Sequence, residues 1–286
     1  MEKIISCLWF DKEAEEAAKF YTNIFKNSQV LKVNYFNGVG EEFHGKKAGE
    51  PMLVHFELEG IGFAALNGGP YFTPTPSHSQ FVTCTTTEEV DRLWDALSQG
   101  GKTLMELGSY SWSERYGWLQ DKYGYSWQIG KSDEESDIQK ITPTLLFQNK
   151  KCRDALNFYS EIFSSQATNL YEEDGMIFFG QIKLLDQVFT VMDSPTPHDH
   201  TFNEATSFVI NCEDQKEIDY YWNKLSDGGD PSAQQCGWLK DKFGISWQIV
   251  PKVMEEIMDD YMSEKSLKST KAMYGMKKLE IDKLLS

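Results

Sequence analysis

The sequence predicts an α+β fold with two tandem domains and a helical tail, and an internal repeat is the first reason. The segment GWLQDKYGYSWQI at residues 117–129 matches GWLKDKFGISWQI at residues 237–249 at 10 of 13 positions. A repeat this close indicates duplication of a whole domain, because two further matches keep the same order along the chain. These matches join residues 17–25 with 155–163 and residues 90–101 with 218–229.

The order of the expected elements is the second reason, because it is the same in both halves. The first half begins with IISCLWF, which alternates as a strand, and continues with a helix that has Tyr21 and Phe25 on one face. Three strands follow, and then a second round of strand, helix and three strands. The helix of that round is expected to begin at Thr86 or Thr87 and to end at Gly100. Each domain should therefore contain two βαβββ modules that form one cupped sheet, with a concave face free for a ligand.

A charged segment between the halves predicts the domain boundary. It reads KSDEESDIQK at residues 131–140. The domains are expected at residues 1–132 and 138–250, and the tail at residues 251–286. The tail holds five of the ten methionines, and its apolar stripe should be buried on the body or on a second subunit, which would make a homodimer through the tail.

Two tail helices are expected from the spacing of apolar residues. The first should bury one set of residues at helical spacing, namely Val253, Met254, Ile257, Met258, Tyr261 and Met262. The second should bury Met273, Met276, Leu279 and Leu284.

Composition and charge limit the partners of the protein. The 286 residues include 28 basic and 44 acidic ones, so the net charge is −16 and the surface should repel nucleic acid. No apolar run reaches the roughly 18 residues that span a bilayer, and residues 1–10 do not resemble a signal peptide. We therefore expect no nucleic acid and no membrane among its partners, and we expect a cytoplasmic location. The five cysteines should be reduced and mostly buried.

Strand alternation gives a set of candidate ligand-binding residues. If Leu8 and Phe10 face the helices, then Cys7 and Trp9 face the cup, and Gln128 is expected to face them. Before GWL the first half has a hairpin eight residues longer than its counterpart, with two aromatic rings and one cation. The alternative for this hairpin is an ordinary amphipathic structure with an ion pair. The candidates in the first-half cup are Cys7, Trp9, Ser79, Phe81, Tyr110, Trp112, Arg115 and Gln128.

The residues also resemble a known family. The FYxxIF helix, the Asn-Gly-Gly turn, the DRLWDALSxGG helix and the GWLxDKxGxSWQI segment are similar to the PhnB-like branch of the vicinal oxygen chelate superfamily. This superfamily includes glyoxalase I, bleomycin-resistance proteins and extradiol dioxygenases, and the branch has carried the label demethylubiquinone methyltransferase. The resemblance implies two glyoxalase-like domains, each with a cup for a small molecule. The repeated Trp118, Trp127, Trp238 and Trp247 should belong to the shared core.

The resemblance also implies positions for a divalent metal ion in the cup. These positions hold poor ligands, because they fall at Ile5, Ser79, Thr142, Thr206 and two glutamines, Gln128 and Gln248. We therefore expect a small-molecule ligand, no cofactor and no tightly held metal, and we assign no catalytic residue.

Two alternatives stay open from the sequence. The first is a lyase, isomerase or dioxygenase that uses a weak metal site with Gln128 and a loop histidine such as His198 or His200. The second is the methyltransferase of the family label. The only glycine-rich turn near a strand, at residues 38–40, is followed by no apolar helical pattern, so no helix N-terminus is expected there for a nucleotide-like cofactor.

Overall fold

The structure, a computed structural model, describes residues 2–132 and 139–286 and contains four βαβββ modules. Module 1 comprises β1 (Ile4–Phe10), α1 (Ala14–Ile24), β2 (Gln29–Tyr35), the one-turn helix α2 (Glu41–His44), β3 (Pro51–Leu58) and β4 (Ile61–Asn67). Module 2 comprises β5 (His78–Cys84), α3 (Thr87–Ser98), β6 (Lys102–Tyr110), β7 (Ser113–Gln120) and β8 (Ser126–Lys131).

The second half repeats this order and ends in the tail. Module 3 comprises β9 (Ile141–Phe147), α4 (Cys152–Phe163), β10 (Ala167–Glu173), β11 (Met176–Leu184) and β12 (Gln187–Asp193). Module 4 comprises β13 (Thr206–Cys212), α5 (Gln215–Ser226), β14 (Asp230–Gln235), β15 (Trp238–Lys240) and β16 (Ser246–Pro251). The tail comprises α6 (Val253–Asp259), α7 (Glu264–Tyr274) and α8 (Ile281–Leu284). Most of the charged joint expected between the halves lies outside the described residues, at 133–138.

The modules form two similar eight-stranded sheets, each made of two modules. Sheet I has the order β14-β15-β16-β13-β1-β4-β3-β2, and sheet II has the order β10-β11-β12-β9-β5-β8-β7-β6. Paired βαβββ modules in cupped sheets are thus confirmed. The expectation that both modules of one half share a cup is wrong, because sheet I joins modules 1 and 4 and sheet II joins modules 2 and 3.

The first strand of each module makes the junction within a sheet. In sheet I, β1 pairs antiparallel with β13, with Ile4 opposite Ile210. In sheet II, β5 pairs antiparallel with β9, with His78 opposite Leu145. All four first strands offer a similar free edge, so the repeat alone does not determine which edges meet.

The alternation expected for the strands is confirmed. Leu8 and Phe10 pack with the helices of the first half, whereas Cys7 belongs to a separate small cluster on the concave face of sheet I. On β8, Trp127 packs with the helix layer, while the side chain of Gln128 bonds to Ser79 on the concave face.

Only two of the four repeated tryptophans are in the core. Trp127 and Trp247 are 1% and 0% exposed, as expected for core residues. Trp118 and Trp238 are half-buried, and each is the strand partner of a concave-face glutamine. The expectation that these two are core residues is therefore wrong, and strand alternation is the reason.

A buried carboxylate explains why the DKxGxSWQ segment recurs in both halves. Asp121 is 3% exposed, and its Oδ1 accepts hydrogen bonds from the backbone N–H groups of Tyr123 and Tyr125. Its Oδ2 accepts from the hydroxyl of Tyr21 at 2.7 Å and from Nε1 of Trp127 at 2.8 Å. One side chain thus joins the β7–β8 turn, helix α1 and strand β8.

The second half repeats this arrangement around Asp241. Its two oxygens accept hydrogen bonds from the backbone N–H groups of Phe243 and Ile245, from the hydroxyl of Tyr159 and from Nε1 of Trp247. Burial raises the pKa of Asp121 and of Asp241, although the four donors to each carboxylate act in the opposite direction.

The tail packs on its own chain, but its helices differ from the expected ones. The first helix ends before Tyr261 and Met262, and Met262 is 52% exposed. Met276 and Leu279 are buried in a segment that is not helical, between α7 and α8. Helix α7 was not expected, because its buried residues are serines and its start is marked only by the N-cap hydroxyl of Ser263. Within residues 2–132 and 139–286, no helix is long and apolar enough to cross a bilayer.

Candidate functional site

The candidate ligand-binding residues are divided between two concave faces. Cys7 and Trp9 lie on sheet I, so the expectation that they face Gln128 is wrong. Sheet II brings together most of the other candidates, namely Ser79, Phe81, Tyr110, Trp112 and Gln128.

The floor of the sheet II cup contains a chain of three polar side chains. The hydroxyl of Tyr116 donates to Oε1 of Gln128 at 2.7 Å, and Nε2 of Gln128 donates to Oγ of Ser79 at 2.8 Å. Gln128 and Ser79 are both 2% exposed. Burial is the main cause that raises the pKa of the Tyr116 hydroxyl, so this group stays neutral and acts as a donor.

An aromatic cluster lies beside this floor. The rings of Tyr110 and Trp112 are stacked with centroids 5.0 Å apart, and the ring of Tyr116 lies 5.6 and 6.0 Å from them. Phe81 adds a ring 6.3 Å from Tyr116. Trp112 is 64% exposed, so one face of the cluster is open to a ligand. Sequence reasoning missed Tyr116, because Trp118 was expected in the core and the spacing of two on β7 would have placed Tyr116 on the same face.

Arg115 does not face the aromatic cluster. Its Nε donates to Oδ1 of Asp91 on helix α3 at 2.7 Å, and its neighbour Glu114 pairs with Lys131 at 2.7 Å. The alternative that the hairpin holds an ordinary ion pair is therefore correct for Arg115, because β7 directs alternate side chains to opposite faces. The two aromatic residues of the hairpin lie in the cluster instead.

The concave face of sheet I repeats the glutamine–serine pair in a more apolar setting. Nε2 of Gln248 donates to Oγ of Ser207 at 3.0 Å. Burial raises the pKa of the neighbouring Cys7 thiol to about 11, against smaller opposing effects of Gln248 and Ser207. The apolar residues around Cys7 are Ile5, Ala64, Val209, Leu53, Leu66 and Val250.

Trp9 is fixed at one end of the sheet I cup. Its Nε1 donates to the carbonyl oxygen of Gly69 at 2.7 Å. Its ring makes edge contacts with Phe72 at 5.0 Å and with Trp238 at 5.9 Å. Trp9 is half-buried, so these contacts hold the ring in place and leave part of it exposed.

The residues at the metal positions of the superfamily do not fit a divalent ion. Hydroxyl and aliphatic side chains occupy most of them, and in sheet II the Oε1 of Gln128 already accepts from Tyr116. His198 and His200 stack on each other at 3.6 Å, and Nδ1 of His200 bonds to Oγ of Ser77 instead of facing the cup. Within the part of the chain that the structure describes, no group of three or more His, Cys, Asp or Glu residues is arranged to hold a metal ion.

The glycine-rich turn at residues 38–40 leads into α2, which has only four residues. The expectation that this turn offers no helix N-terminus to a cofactor stays a prediction, because α2 is a single turn without buried residues. Its N-cap Gly40 packs against Tyr274 of the tail, so the turn supports the tail in the described structure.

Comparison with known proteins agrees with this architecture. The family model described as 3-demethylubiquinone-9 3-methyltransferase matches residues 2–130 and again residues 139–250. A solved PhnB protein from Bacillus cereus, described with the same methyltransferase name, is 39% identical over 46% of this chain and 100% of its own, with a TM-score of 0.42. Glyoxalase I from Zea mays is 10% identical, covers 91% of this chain and 96% of its own with a TM-score of 0.55, and is a likeness of fold alone.

A curated relative is the uncharacterized protein Mb0911c of Mycobacterium bovis, which is 29% identical over 106 residues, or 34% of this chain and 70% of its own. The family model covers both halves, and the two sheets of paired βαβββ modules have the architecture expected for it. The chain therefore belongs to the 3-demethylubiquinone-9 3-methyltransferase (PhnB-like) family, in a tandem form with a C-terminal helical tail.

Proposed function

We propose that the protein binds a small, neutral, planar organic molecule with an acceptor oxygen in the sheet II cup, without a tightly held metal. The chain of Tyr116, Gln128 and Ser79 beneath an exposed aromatic cluster is the observation that carries this proposal. The proposed location is the cytoplasm, as expected from the sequence.

Hydrogen-bond inventory supports an acceptor oxygen on the ligand. A glutamine amide has two N–H donors, and a serine hydroxyl can donate while it accepts. One N–H of Gln128 is used by Ser79, and Ser79 is the acceptor in that bond. One amide N–H of Gln128 and the hydroxyl hydrogen of Ser79 are therefore left for a carbonyl or ether oxygen. Leaving them unpaired next to a bound apolar molecule would cost about 1–3 kcal/mol each.

The aromatic residues support a planar shape. Tyr110 and Trp112 stack with an interplanar angle of 27°, and Trp112 offers its exposed face beyond that stack. Offset stacking of a further ring is the arrangement that aromatic faces favour. The ion pair of Arg115 with Asp91 removes the cation that would have favoured an anionic ligand.

A binding measurement with 7-methoxycoumarin tests the proposal, because this neutral planar lactone has a carbonyl acceptor and its own fluorescence. We expect saturable binding to the full chain. Gln128→Leu should weaken binding about fivefold, because it removes a donor worth about 1 kcal/mol. Gln248→Leu removes the same group from the other cup and is the matched control. Absence of saturable binding, or equal losses in both variants, would refute the proposal.

The family description names methyl transfer, and this alternative has its own test. S-adenosylmethionine at 100 times its Kd should stabilise the folded chain by about 2.7 kcal/mol, which a thermal unfolding measurement detects. A shift that survives Gln128→Leu would place a cofactor site elsewhere on the chain and would favour the methyltransferase. A tightly bound divalent ion, found by elemental analysis after dialysis against a chelator, would favour the metal-dependent alternative.

A further inference from the structure

The C-terminal tail contacts the outer strand β2 on the concave side of sheet I and, at the opposite edge, the turn after β14 and helix α5. On β2, the side-chain amide of Asn34 donates to the carbonyl oxygen of Met258 at 3.1 Å, and Lys32 pairs with Asp259. At the opposite edge, the N–H of Gly237 donates to the carbonyl oxygen of Lys277 at 2.7 Å. Asn34 is opposite Leu53, which belongs to the cluster around Cys7, so this contact is on the cup side.

The tail has a small hydrophobic cluster of its own. This cluster is separate from the two large cores and consists of Met254, Ile257, Met276, Leu279 and Leu284. Val250 packs against both this cluster and the cluster around Cys7. Ile281 of α8 packs against the core of the second half, but the buried residues of the two large cores, among those that the structure describes, all lie outside the tail. The tail can therefore separate from the cup while the buried residues of both cores stay in place.

The fully buried residues of the longest tail helix are polar, and its Ala272 and Met273 are only partly buried against the tail cluster. The buried residues of α7 are Ser266 and Ser269, at 2% and 1% exposure. Asn37 of the body donates to Oγ1 of Thr270 on this helix at 2.8 Å. Burying hydroxyl groups yields far less free energy than burying leucine or methionine. The α7 segment therefore belongs to the class of weakly held elements that open before the body unfolds.

The closed arrangement also leaves a polar group poorly satisfied. Oε1 of Glu255 on α6 is buried and has no hydrogen-bond partner. An unpartnered buried carboxylate oxygen favours a state in which it reaches water. Opening of the tail would hydrate Glu255 and would uncover Cys7, which is 2% exposed in the closed arrangement.

We propose that residues 252–286 form a reversible lid on the sheet I cup, which opens by local unfolding while the two sheets stay folded. The lid decides whether this cup is accessible, independently of any ligand in the sheet II cup. It is a regulatory device, because any molecule that binds the open cup must compete with the tail.

Cysteine reactivity in the full, unmodified chain measures lid opening. Cys7 belongs to a cluster on the cup side of sheet I that shares Val250 with the tail cluster, whereas Cys84, Cys152 and Cys212 are 0% exposed in the main cores. The chain is treated with N-ethylmaleimide in native buffer, and each thiol is followed by mass spectrometry of its peptide. We expect Cys7 to react at least about tenfold faster than the three core thiols, because local opening needs less free energy than global unfolding.

Two matched cap variants separate the lid from the body. Ser263→Ala removes the hydroxyl that accepts from the N–H of Ser266 at the start of α7. Thr86→Ala removes the equivalent hydroxyl from α3, where it accepts from the N–H of Glu89. Loss of the Ser263 cap should raise the equilibrium constant for opening of the tail about fivefold, and loss of the Thr86 cap should do the same for opening of the body.

The expected result is that Ser263→Ala accelerates labelling of Cys7 about fivefold and leaves Cys84 unchanged. Thr86→Ala should accelerate Cys84 and leave the local opening that exposes Cys7 nearly unchanged. Equal labelling rates for Cys7 and the core thiols in the unmodified chain would overturn the proposal. It would also fail if Cys7 reacts fast but does not respond to Ser263→Ala, since access to the cup would then not pass through the tail.

Discussion

Replacing the buried carboxylate of Asp241 by an amide tests the role of the repeated DKxGxSWQ segment. In Asp241→Asn, the remaining oxygen can keep the two backbone N–H donors of Phe243 and Ile245. The new NH2 group faces the hydroxyl of Tyr159, which can rotate to accept, and Nε1 of Trp247, which can only donate. A buried N–H without an acceptor costs about 1–3 kcal/mol, and the bonds that lose a charged acceptor cost further.

We therefore expect Asp241→Asn to lower the free energy of unfolding by about 3 kcal/mol, and Asp121→Asn to have a similar effect. Urea unfolding followed by tryptophan fluorescence measures both. Asp227→Asn is the control, because this residue is exposed after the end of α5 and should change the stability by less than about 0.5 kcal/mol. A loss below about 1 kcal/mol for both buried positions would refute the view that these carboxylates organise the two halves.

Three further predictions concern the interior of the fold. Gln80→Met should be neutral or stabilising in urea unfolding, because both polar atoms of Gln80 are buried without a partner; a loss above about 1 kcal/mol would show an acceptor or a water that the amide needs. Burial lowers the pKa of His78 to about 3, below its value in the unfolded chain, so the folded state is most stable with respect to this group above pH 6.5 and loses stability as pH falls. The free energy of unfolding should therefore differ between pH 7 and pH 4.5, and His78→Thr should reduce that difference by about 2 kcal/mol. An unchanged difference would contradict this. Gly68→Ala should destabilise by about 1–3 kcal/mol, because the new Cβ would lie 2.1 Å from the ring of Trp9, whereas Gly108→Ala, with no atom nearer than 3.9 Å, should not; equal effects on the melting temperature would argue against the clash.

The sequence was sufficient to predict the four modules and the face of the sheet to which most strand side chains point. Alternation placed Leu8 against the helices and Cys7 and Gln128 on concave faces, because the period of two in a strand is fixed by backbone geometry. Side-chain chemistry likewise limited the N-cap of α3 to Thr86 or Thr87, and the structure has Thr86. These features depend on neighbours along the chain, so the chain alone contains them.

The features that could not be predicted depend on contacts between segments that are distant along the chain. The pairing of β1 with β13 was not predictable, because four similar strand edges compete and the repeat makes them look alike. The pairing of Arg115 with Asp91 needed the position of α3 relative to β7. Helix α7 was not predicted from the pattern of apolar residues, because its buried residues are serines and serine is mostly exposed in proteins.

The crossed pairing of the modules has a consequence for how the chain acquires its structure. Sheet II joins residue 78 with residue 145, so it can be completed when the third module has been made. Sheet I joins residue 4 with residue 210, so the N-terminal module must wait for the last one, with an unpaired edge on β1 in the meantime. Such long-range closure is slow, and an unpaired edge invites association with other chains. During synthesis on the ribosome, the inner sheet should therefore form first, and the N-terminal module should be the part that most needs protection from aggregation.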